Sequence, residues 1–146
     1  MIKMNFSALI QAPPAQVWDA MLGIDTYKIW TEAFCAGSYF VGSWDKGEEI
    51  RFLAPNGSGM TSVIAENRLH EFVSIKHLGF VSNGVDDTSS EAIMSWAPAY
   101  ENYSFVRVGD ATQVNIDLDI VVEYEQYMKD TWPVALEKLK AICEGA

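Results

Sequence analysis

The stretches TQVNIDLDIVV at residues 112–122 and EQYMKDTWPVALEKLKAICE at residues 125–144 decide the fold of this chain. In the first stretch apolar and polar residues alternate, which predicts a strand with one buried face. In the second, apolar residues recur every three or four positions, which predicts an amphipathic helix. These apolar residues are Met128, Trp132, Ala135, Leu139 and Ile142, with Leu136 and Cys143 at the edge. Pro133 lies inside the pattern and predicts either a kink or a regular helix that begins there.

The beginning of the chain mirrors its end. Residues 2–12 alternate as a half-buried strand, and Ala12-Pro13-Pro14-Ala15-Gln16-Val17-Trp18 then begins a helix. Proline suits this position because the first turn of a helix needs no backbone donor. We expect Gly23 to end this helix. Asp25 or Thr26 is then expected to cap a second short helix.

The middle of the chain predicts short strands joined by turns. The strands are expected at residues 37–44, 48–54, 60–66, 71–80 and 101–108. Ser82 to Ser90 is polar and acidic, so we expect an exposed loop, whereas residues 91–99 fit a short helix or a strand. This order predicts an α+β fold: one antiparallel sheet covered on one face by helices, with a cavity between sheet and terminal helix. We expect a single domain over residues 1–146.

Composition excludes several classes of function. The net charge of −10 opposes binding to nucleic acid or to an anionic membrane. No apolar run is long enough to span a bilayer, and the first residues do not have the pattern of a signal peptide. Cys35 and Cys143 have no metal or redox spacing, so we interpret both as reduced thiols of a cytoplasmic protein. We predict no cofactor and no metal.

The order of these motifs is similar to that of START-like (SRPBCC) proteins. The opening strand followed by Ala12-Pro13-Pro14-Ala15-Gln16-Val17-Trp18 resembles the start of that family. The similarity extends to Trp30, Gly42, Gly47 and Glu66, and to Trp132, Leu136, Leu139 and Lys140 near the end. The chain most resembles the AHSA1-like branch, which is related to the C-terminal domain of Hsp90 ATPase activators.

The resemblance implies a helix-grip fold, in which a curved antiparallel sheet of six to seven strands wraps around a long C-terminal helix. It also implies an apolar cavity between the two. It transfers no catalytic residue, since this family has no universal catalytic motif. Ser82 to Tyr100 departs from the family pattern and resembles an insertion that would shape access to the cavity.

Two groups of polar residues are candidates for chemistry. His77 lies in mid-strand, where it is either a general base or, as we favour, a histidine hydrogen-bonded within the sheet. Glu101 and Tyr103 share a strand face and, with Arg51, are candidates to bind or polarise a carbonyl at the cavity mouth. The alternative, a cross-strand ion pair, is favoured. His70 is expected to be exposed in a turn.

Aromatic residues are candidates for the cavity wall. Trp96 and Tyr100 fit a ligand pocket or ordinary packing equally, Trp44 is a further candidate, and Trp18 and Trp30 are interpreted as core. Asp117 and Asp119 are expected to face solvent, and we predict no Ser/His/Asp arrangement. The predicted ligand-binding residues are Phe52, Arg51, His77, Trp96, Tyr100, Glu101, Tyr103, Met128, Trp132 and Ala135.

Three functions remain open at this point. The favoured hypothesis is that the protein binds a hydrophobic small molecule or lipid-like metabolite between the sheet and the C-terminal helix. The alternatives are a cyclase- or hydrolase-type enzyme that uses the same cavity, and a chaperone-regulating interaction module of the Hsp90-activator type. An open edge strand could also pair with a second copy to form a homodimer.

Overall fold

A computed structural model describes residues 1–145 as a curved antiparallel sheet with helices packed on one face. The strands are β1 (Ile2–Ile10), β2 (Tyr39–Gly42), β3 (Glu49–Leu53), β4 (Gly59–Arg68), β5 (Phe72–Ser82), β6 (Val85–Asp87), β7 (Ala99–Val108) and β8 (Ala111–Ile120). The helices are α1 (Pro14–Leu22), α2 (Ile24–Trp30), α3 (Glu91–Met94) and α4 (Glu125–Cys143), with short 3₁₀ helices at Thr31–Ala33 and Val122–Tyr124.

The sheet order is β1-β8-β7-β5-β4-β3-β2, and β6 pairs with the end of β5. The strand predicted at 112–122 is β8, whose residues pair with β1 from Ile2 opposite Ile120 to Ile10 opposite Thr112. Between β4 and β5 the register shifts at Thr61/Ser62 and at Ile64/Glu66. Such bulges bend and twist a sheet locally. The predicted α+β helix-grip architecture is therefore confirmed.

The connection between α1 and α2 is tighter than the sequence predicts. Gly23 ends α1 as expected, but its φ of −68° is not the left-handed conformation of a glycine cap. A Cβ at Gly23 would lie 2.6 Å from the Asp19 carbonyl oxygen and 2.8 Å from Thr26 Oγ, so space requires the glycine. The expected caps at Asp25 and Thr26 are wrong, because Gly23 also precedes α2 and places both residues inside the helix.

The terminal helix α4 runs through Pro133 as one helix, so the prediction that its regular part begins there is wrong. Pro133 is exposed, where water can solvate the Lys129 carbonyl that the proline leaves unpaired. The opposite face of α4 is buried in the core as predicted. On that face the Trp132 ring stacks on the Phe6 ring, with the ring centroids 6.2 Å apart. The centroid of the Trp30 ring lies 5.8 Å from that of Trp132.

The segment at residues 82–100 is more ordered than the predicted loop. Asn83 and Gly84 both have positive φ, 52° and 76°, and turn β5 back into the short strand β6. Asn-Gly is the strongest short hairpin signal. The prediction of a loop at residues 82–90 is therefore wrong where β5 turns into β6, although this dipeptide already indicates a hairpin. After β6 the chain forms α3, which Ser90 caps by accepting a hydrogen bond from the Ile93 amide.

Both cysteines are free, as predicted: Cys35 is exposed and Cys143 is buried near the end of α4. Burial raises the pKa of the Cys143 thiol to about 11. None of the helices in residues 1–145 combines the length and apolar character that crossing a bilayer requires.

Candidate functional site

A cavity of about 720 Å³ lies between the sheet and the helices. This volume is within the range of small-molecule sites, roughly 300–1,000 Å³. Most of its wall is aromatic or aliphatic. That apolar wall includes Tyr27, Trp30, Phe34, Phe52, Leu53, Met60, Phe80, Trp96, Ala99, Leu118, Ile120, Tyr127, Met128 and Trp132.

The cavity exists because only part of α4 packs directly onto the sheet. Ala135 and Leu139, in the second half of the helix, are fully buried in the core. In the first half Met128 lines the cavity, and Trp132 both packs on Phe6 of the sheet and lines the cavity. On this side the sheet curves away from the helix, and strand alternation points the inner side chains of β3, β5 and β7 into the gap.

Four polar side chains form a hydrogen-bonded chain in the sheet beside the cavity. Ser62 Oγ lies 2.7 Å from His77 Nδ1, and His77 Nε2 lies 2.9 Å from Glu101 Oε1. The Tyr103 hydroxyl donates to Glu101 Oε2. We call this set the Ser62–Tyr103 chain; its order is Ser62, His77, Glu101, Tyr103. Glu101 is the most accessible member, with 22% of its side chain exposed, compared with 8% for the side chain of His77.

One tautomer of His77 makes every hydrogen bond in this chain point towards the glutamate. If the Ser62 hydroxyl donates to Nδ1, then Nε2–H donates to Glu101, and every hydrogen bond points towards the glutamate. Burial, together with the neighbouring Glu101 charge, raises the pKa of Tyr103 well above that of an ordinary phenol. Tyr103 therefore stays protonated and donates a hydrogen bond to Glu101. The carboxylate thus accepts hydrogen bonds from both His77 and Tyr103.

The order Ser–His–Glu corrects the prediction that no such arrangement exists. In a nucleophilic triad the serine must reach the substrate, but here Ser62 is only 1% exposed, and it does not line the cavity. His77 and Glu101 do line it. Ser62 thus holds the histidine in place, and the glutamate is the group available to a ligand. The chain can accept a hydrogen bond or a proton from a molecule in the cavity.

The sequence did not reveal Ser62 because register decides its neighbour. Ser62 pairs with His77 across β4 and β5, immediately after a bulge at Thr61/Ser62. Counting back from the turn at residues 67–70 without the other bulge, at Ile64/Glu66, would place Ser62 opposite Leu78 instead. The favoured interpretation of His77 as a histidine hydrogen-bonded within the sheet is what the structure shows, and its ring also faces the cavity.

Most of the predicted ligand-binding residues lie on the cavity wall. These are Phe52, His77, Trp96, Glu101, Tyr103, Met128 and Trp132. Trp96 is brought there by the segment at residues 82–100 and packs on Phe80 with ring centroids 5.0 Å apart. Trp30 was interpreted as core, and it is both fully buried and part of the wall. Trp44 packs against the core beside Phe40 and Phe52.

Three predicted residues lie elsewhere. Arg51 alternates with Phe52 and points away from the cavity, where its Nη2 lies 2.7 Å from Asp86 Oδ1 in β6. The ion pair that we favoured does form at Arg51, but its partner is Asp86. Tyr100 is on the outer face because it alternates with Glu101, and 36% of it is exposed. Ala135 is packed in the core and lines no void.

Two further predictions need correction. Asp119, expected in solvent, has only 16% of its side chain exposed, lies 2.7 Å from Lys3 Nζ and accepts a hydrogen bond from the Tyr100 amide. Burial opposes its ionisation, yet these hydrogen bonds outweigh that effect and lower the pKa of Asp119. His70 is half-buried edge-on against Trp18, at a centroid distance of 6.0 Å, and not freely exposed. Asp117 is exposed, as predicted.

Several wall residues were not predicted, because distant segments supply them. Tyr27 and Thr31 come from α2 and the turn after it, Met60 from β4, and Tyr127 from the start of α4. The apolar pattern of each segment indicates burial only. Whether a buried side chain meets another side chain or a void depends on the curvature of the sheet, which no local pattern contains.

Comparison with solved structures identifies the fold. No protein-family profile and no curated protein sequence matches this chain. The solution structure of the Aha1 dimer from Colwellia psychrerythraea has a TM-score of 0.74 and 19% identity, covering 99% of this chain and 97% of that one. CalU16 from Micromonospora echinospora has a TM-score of 0.65 and 14% identity, covering 94% and 73%.

DynU16, from the dynemicin biosynthetic locus, has a TM-score of 0.72 and 12% identity over 97% of this chain, which spans 47% of the DynU16 chain. At such identities the likeness concerns architecture and not activity. The chain therefore shares the helix-grip fold of these solved structures.

Proposed function

We propose that this protein binds a hydrophobic small molecule in the cavity between the sheet and the first half of α4. The observation that carries the proposal is the cavity itself: about 720 Å³, with a wall that is mostly apolar and a single internal hydrogen-bonded chain. Small-molecule sites combine such walls with a few convergent polar groups that orient the ligand. The apolar wall would hold the body of the ligand and Glu101 its polar group.

The first test is native mass spectrometry of the protein purified from its own cells, followed by denaturing extraction of any bound molecule. We expect an apolar molecule at a near one-to-one ratio. The matched variants are Ala99→Leu, which adds bulk on the inner face of β7, and Val106→Phe, which adds bulk on its exposed outer face. Ala99→Leu should abolish co-purification and Val106→Phe should not. Equal occupancy in both variants would place the ligand outside this cavity.

A second candidate function is catalysis in the same cavity, and one observation favours it. His77, Glu101 and Tyr103 converge on the wall within hydrogen-bond reach of one another. A glutamate in that setting can act as a general base on an acidic C–H or O–H bond, as a cyclase requires. The occurrence of DynU16 in a biosynthetic locus agrees with a role of this kind. The burial of Ser62 argues against a serine hydrolase.

This candidate is tested with a carbon acid in place of the unidentified substrate. Deuterium exchange at the α-carbon of 2-tetralone, followed by NMR, measures general-base catalysis directly. Glu101→Gln should remove the acceleration, whereas Glu137→Gln, on the exposed face of α4, should keep it. An equal rate for both variants would mean that Glu101 is not a base. The interaction-module hypothesis rests on the fold alone.

A homodimer remains a proposal about assembly. The sheet ends in two edge strands, β1 and β2, each with one side unpaired within the described chain, and edge strands can pair with a second copy. One similar structure is described as a dimer. Sedimentation velocity over a range of concentrations decides between monomer and dimer. The cytoplasmic location stays a prediction.

A further inference from the structure

We propose that the cavity selects an organic cation: a protonated amine carried on an aromatic or aliphatic body. This inference rests on the proposed binding function and names the chemical class of its ligand. It separates this cavity from one that would carry fatty acids or other carboxylates, although a purely apolar wall would suit the hydrocarbon part of either class.

The first support is the sign of the charged groups on the wall. The acidic side chains Glu101, Asp119 and Glu123 line the cavity, and no lysine or arginine side chain does so among residues 1–145. Lys3 reaches Asp119 and neutralises that carboxylate in a 2.7 Å ion pair. Glu101 and Glu123 have no lysine or arginine partner within the described chain. Met1 also lines the cavity, and its α-ammonium group offsets part of this negative charge, but the carboxylates of Glu101 and Glu123 outnumber it and favour positive charge within the cavity.

The second support is the way in which Glu101 is hydrogen-bonded. His77 binds its Oε1 and Tyr103 binds its Oε2, so these two donors are already used within the protein. The remaining lone pairs of the carboxylate can accept a hydrogen bond from a ligand. At this point the Tyr27 hydroxyl also lines the cavity, and Glu101 presents a charged acceptor. An ammonium group satisfies it, whereas a carboxylate ligand would face a like charge.

The third support is the aromatic surface around this glutamate. The Phe52 ring lies 5.8 Å from the His77 ring, and Tyr27 lies 6.1 Å from Phe52. Trp30 and Trp132 continue the wall, each within about 6.4 Å of the Tyr103 ring. Cations are attracted to the faces of such rings, and the attraction grows when water is excluded. A carboxylate beside several aromatic rings is thus a site for an organic ammonium group.

The experiment compares three probes with one body: naphthylpropylamine, naphthylpropanol and naphthylpropanoic acid. Isothermal titration calorimetry at neutral pH measures each affinity. We expect the amine to bind roughly tenfold or more tighter than the acid, with the alcohol in between. Glu101→Gln should remove most of this difference. Glu137→Gln changes the net charge equally at an exposed position outside the cavity, and should preserve the difference.

The outcomes separate this inference from the proposed function. If all three probes bind equally, or the acid binds tightest, the cation preference is overturned while a hydrophobic binding cavity stands. If Ala99→Leu leaves the binding of all three unchanged, or none of them binds at millimolar concentration, both ideas fail. If Glu137→Gln reduces the preference as much as Glu101→Gln does, overall charge and not Glu101 is responsible, and the inference fails.

Discussion

At the scale of single residues, the Ser62–Tyr103 chain shows how a partly buried glutamate can be held in one orientation. Ser62 fixes His77, and His77 and Tyr103 each donate to one oxygen of Glu101. Two fixed donors leave the carboxylate little rotational freedom. A ligand therefore meets an acceptor that is already oriented, which reduces the entropy lost on binding.

Removing the Tyr103 hydroxyl should measure what this chain contributes to stability. Tyr103→Phe deletes one donor to a carboxylate in a largely buried setting. We expect it to lower the free energy of unfolding by about 1–3 kcal/mol, measured by urea denaturation at neutral pH. Tyr124→Phe, at an exposed tyrosine, is the matched control and should change little. Similar losses in both variants would show that the hydrogen bond to Glu101 contributes nothing.

The buried tyrosines Tyr27 and Tyr103 predict that the protein loses stability at alkaline pH. Burial raises the pKa of Tyr27 and Tyr103, and the charge of Glu101 adds to the effect. Above about pH 10 the unfolded chain releases these phenolic protons and the folded chain does not. The free energy of unfolding therefore decreases as the pH rises above that value. Each tyrosine contributes a slope of about 1.4 kcal/mol per pH unit.

This slope is measurable from urea midpoints at a series of alkaline pH values. Tyr103→Phe should lessen the pH dependence by the share of one tyrosine, and Tyr124→Phe should leave it unchanged. If Tyr103→Phe has the same slope as the unsubstituted protein, then the Tyr103 phenol ionises in the folded protein as it does in the unfolded chain.

At the scale of elements, α4 has two halves with different tasks. Leu139 is fully buried against the sheet, whereas Met128 is partly buried and borders the cavity. Leu139→Ala should therefore cost about 2–5 kcal/mol, as a new void in a packed core does. Met128→Ala only enlarges an existing cavity and should cost less than about 1 kcal/mol. Urea denaturation compares them, and equal costs would show that the cavity is closed in solution.

The segment at residues 82–100 also has a role of its own in the cavity wall. Its hairpin begins at Asn83-Gly84, and the turn after α3 places Trp96 against Phe80 at the cavity wall. Arg51 secures the hairpin from outside through its ion pair with Asp86. Both partners are more than one-third exposed, and exposed pairs stabilise proteins only slightly. The pair is thus better explained as positioning the hairpin than as stabilising the fold.

At the scale of the whole molecule, binding and folding are linked, since a ligand that occupies only the folded cavity stabilises it. Naphthylpropylamine at about one hundred times its dissociation constant should add about 2.7 kcal/mol to the free energy of unfolding. For a chain of this size that corresponds to a rise of roughly 5–10 °C in Tm. Differential scanning calorimetry measures the shift. It should vanish in Ala99→Leu, and a shift that persists there would indicate binding to another surface.

The sequence by itself determined the elements and their order. Alternation along β1 and β8, the proline pair before α1 and the helical spacing of α4 are local signals, and local geometry alone decides them. The same signals identified Glu101 and Tyr103 as neighbours on one strand face. Where local signals were missed, as at Asn83-Gly84, the information was nevertheless present in the sequence.

Only the tertiary structure decided what these elements enclose. The bulge at Ile64/Glu66 between β4 and β5 brings Ser62 opposite His77, and the fold brings Asp86 to Arg51 on the outer face. A void borders Trp132 and none borders Leu139, although both lie on the same apolar stripe. A hydrophobic pattern predicts that a side chain is buried away from water. It does not predict whether the buried side chain packs against other side chains or borders a cavity, because that depends on residues from distant parts of the chain.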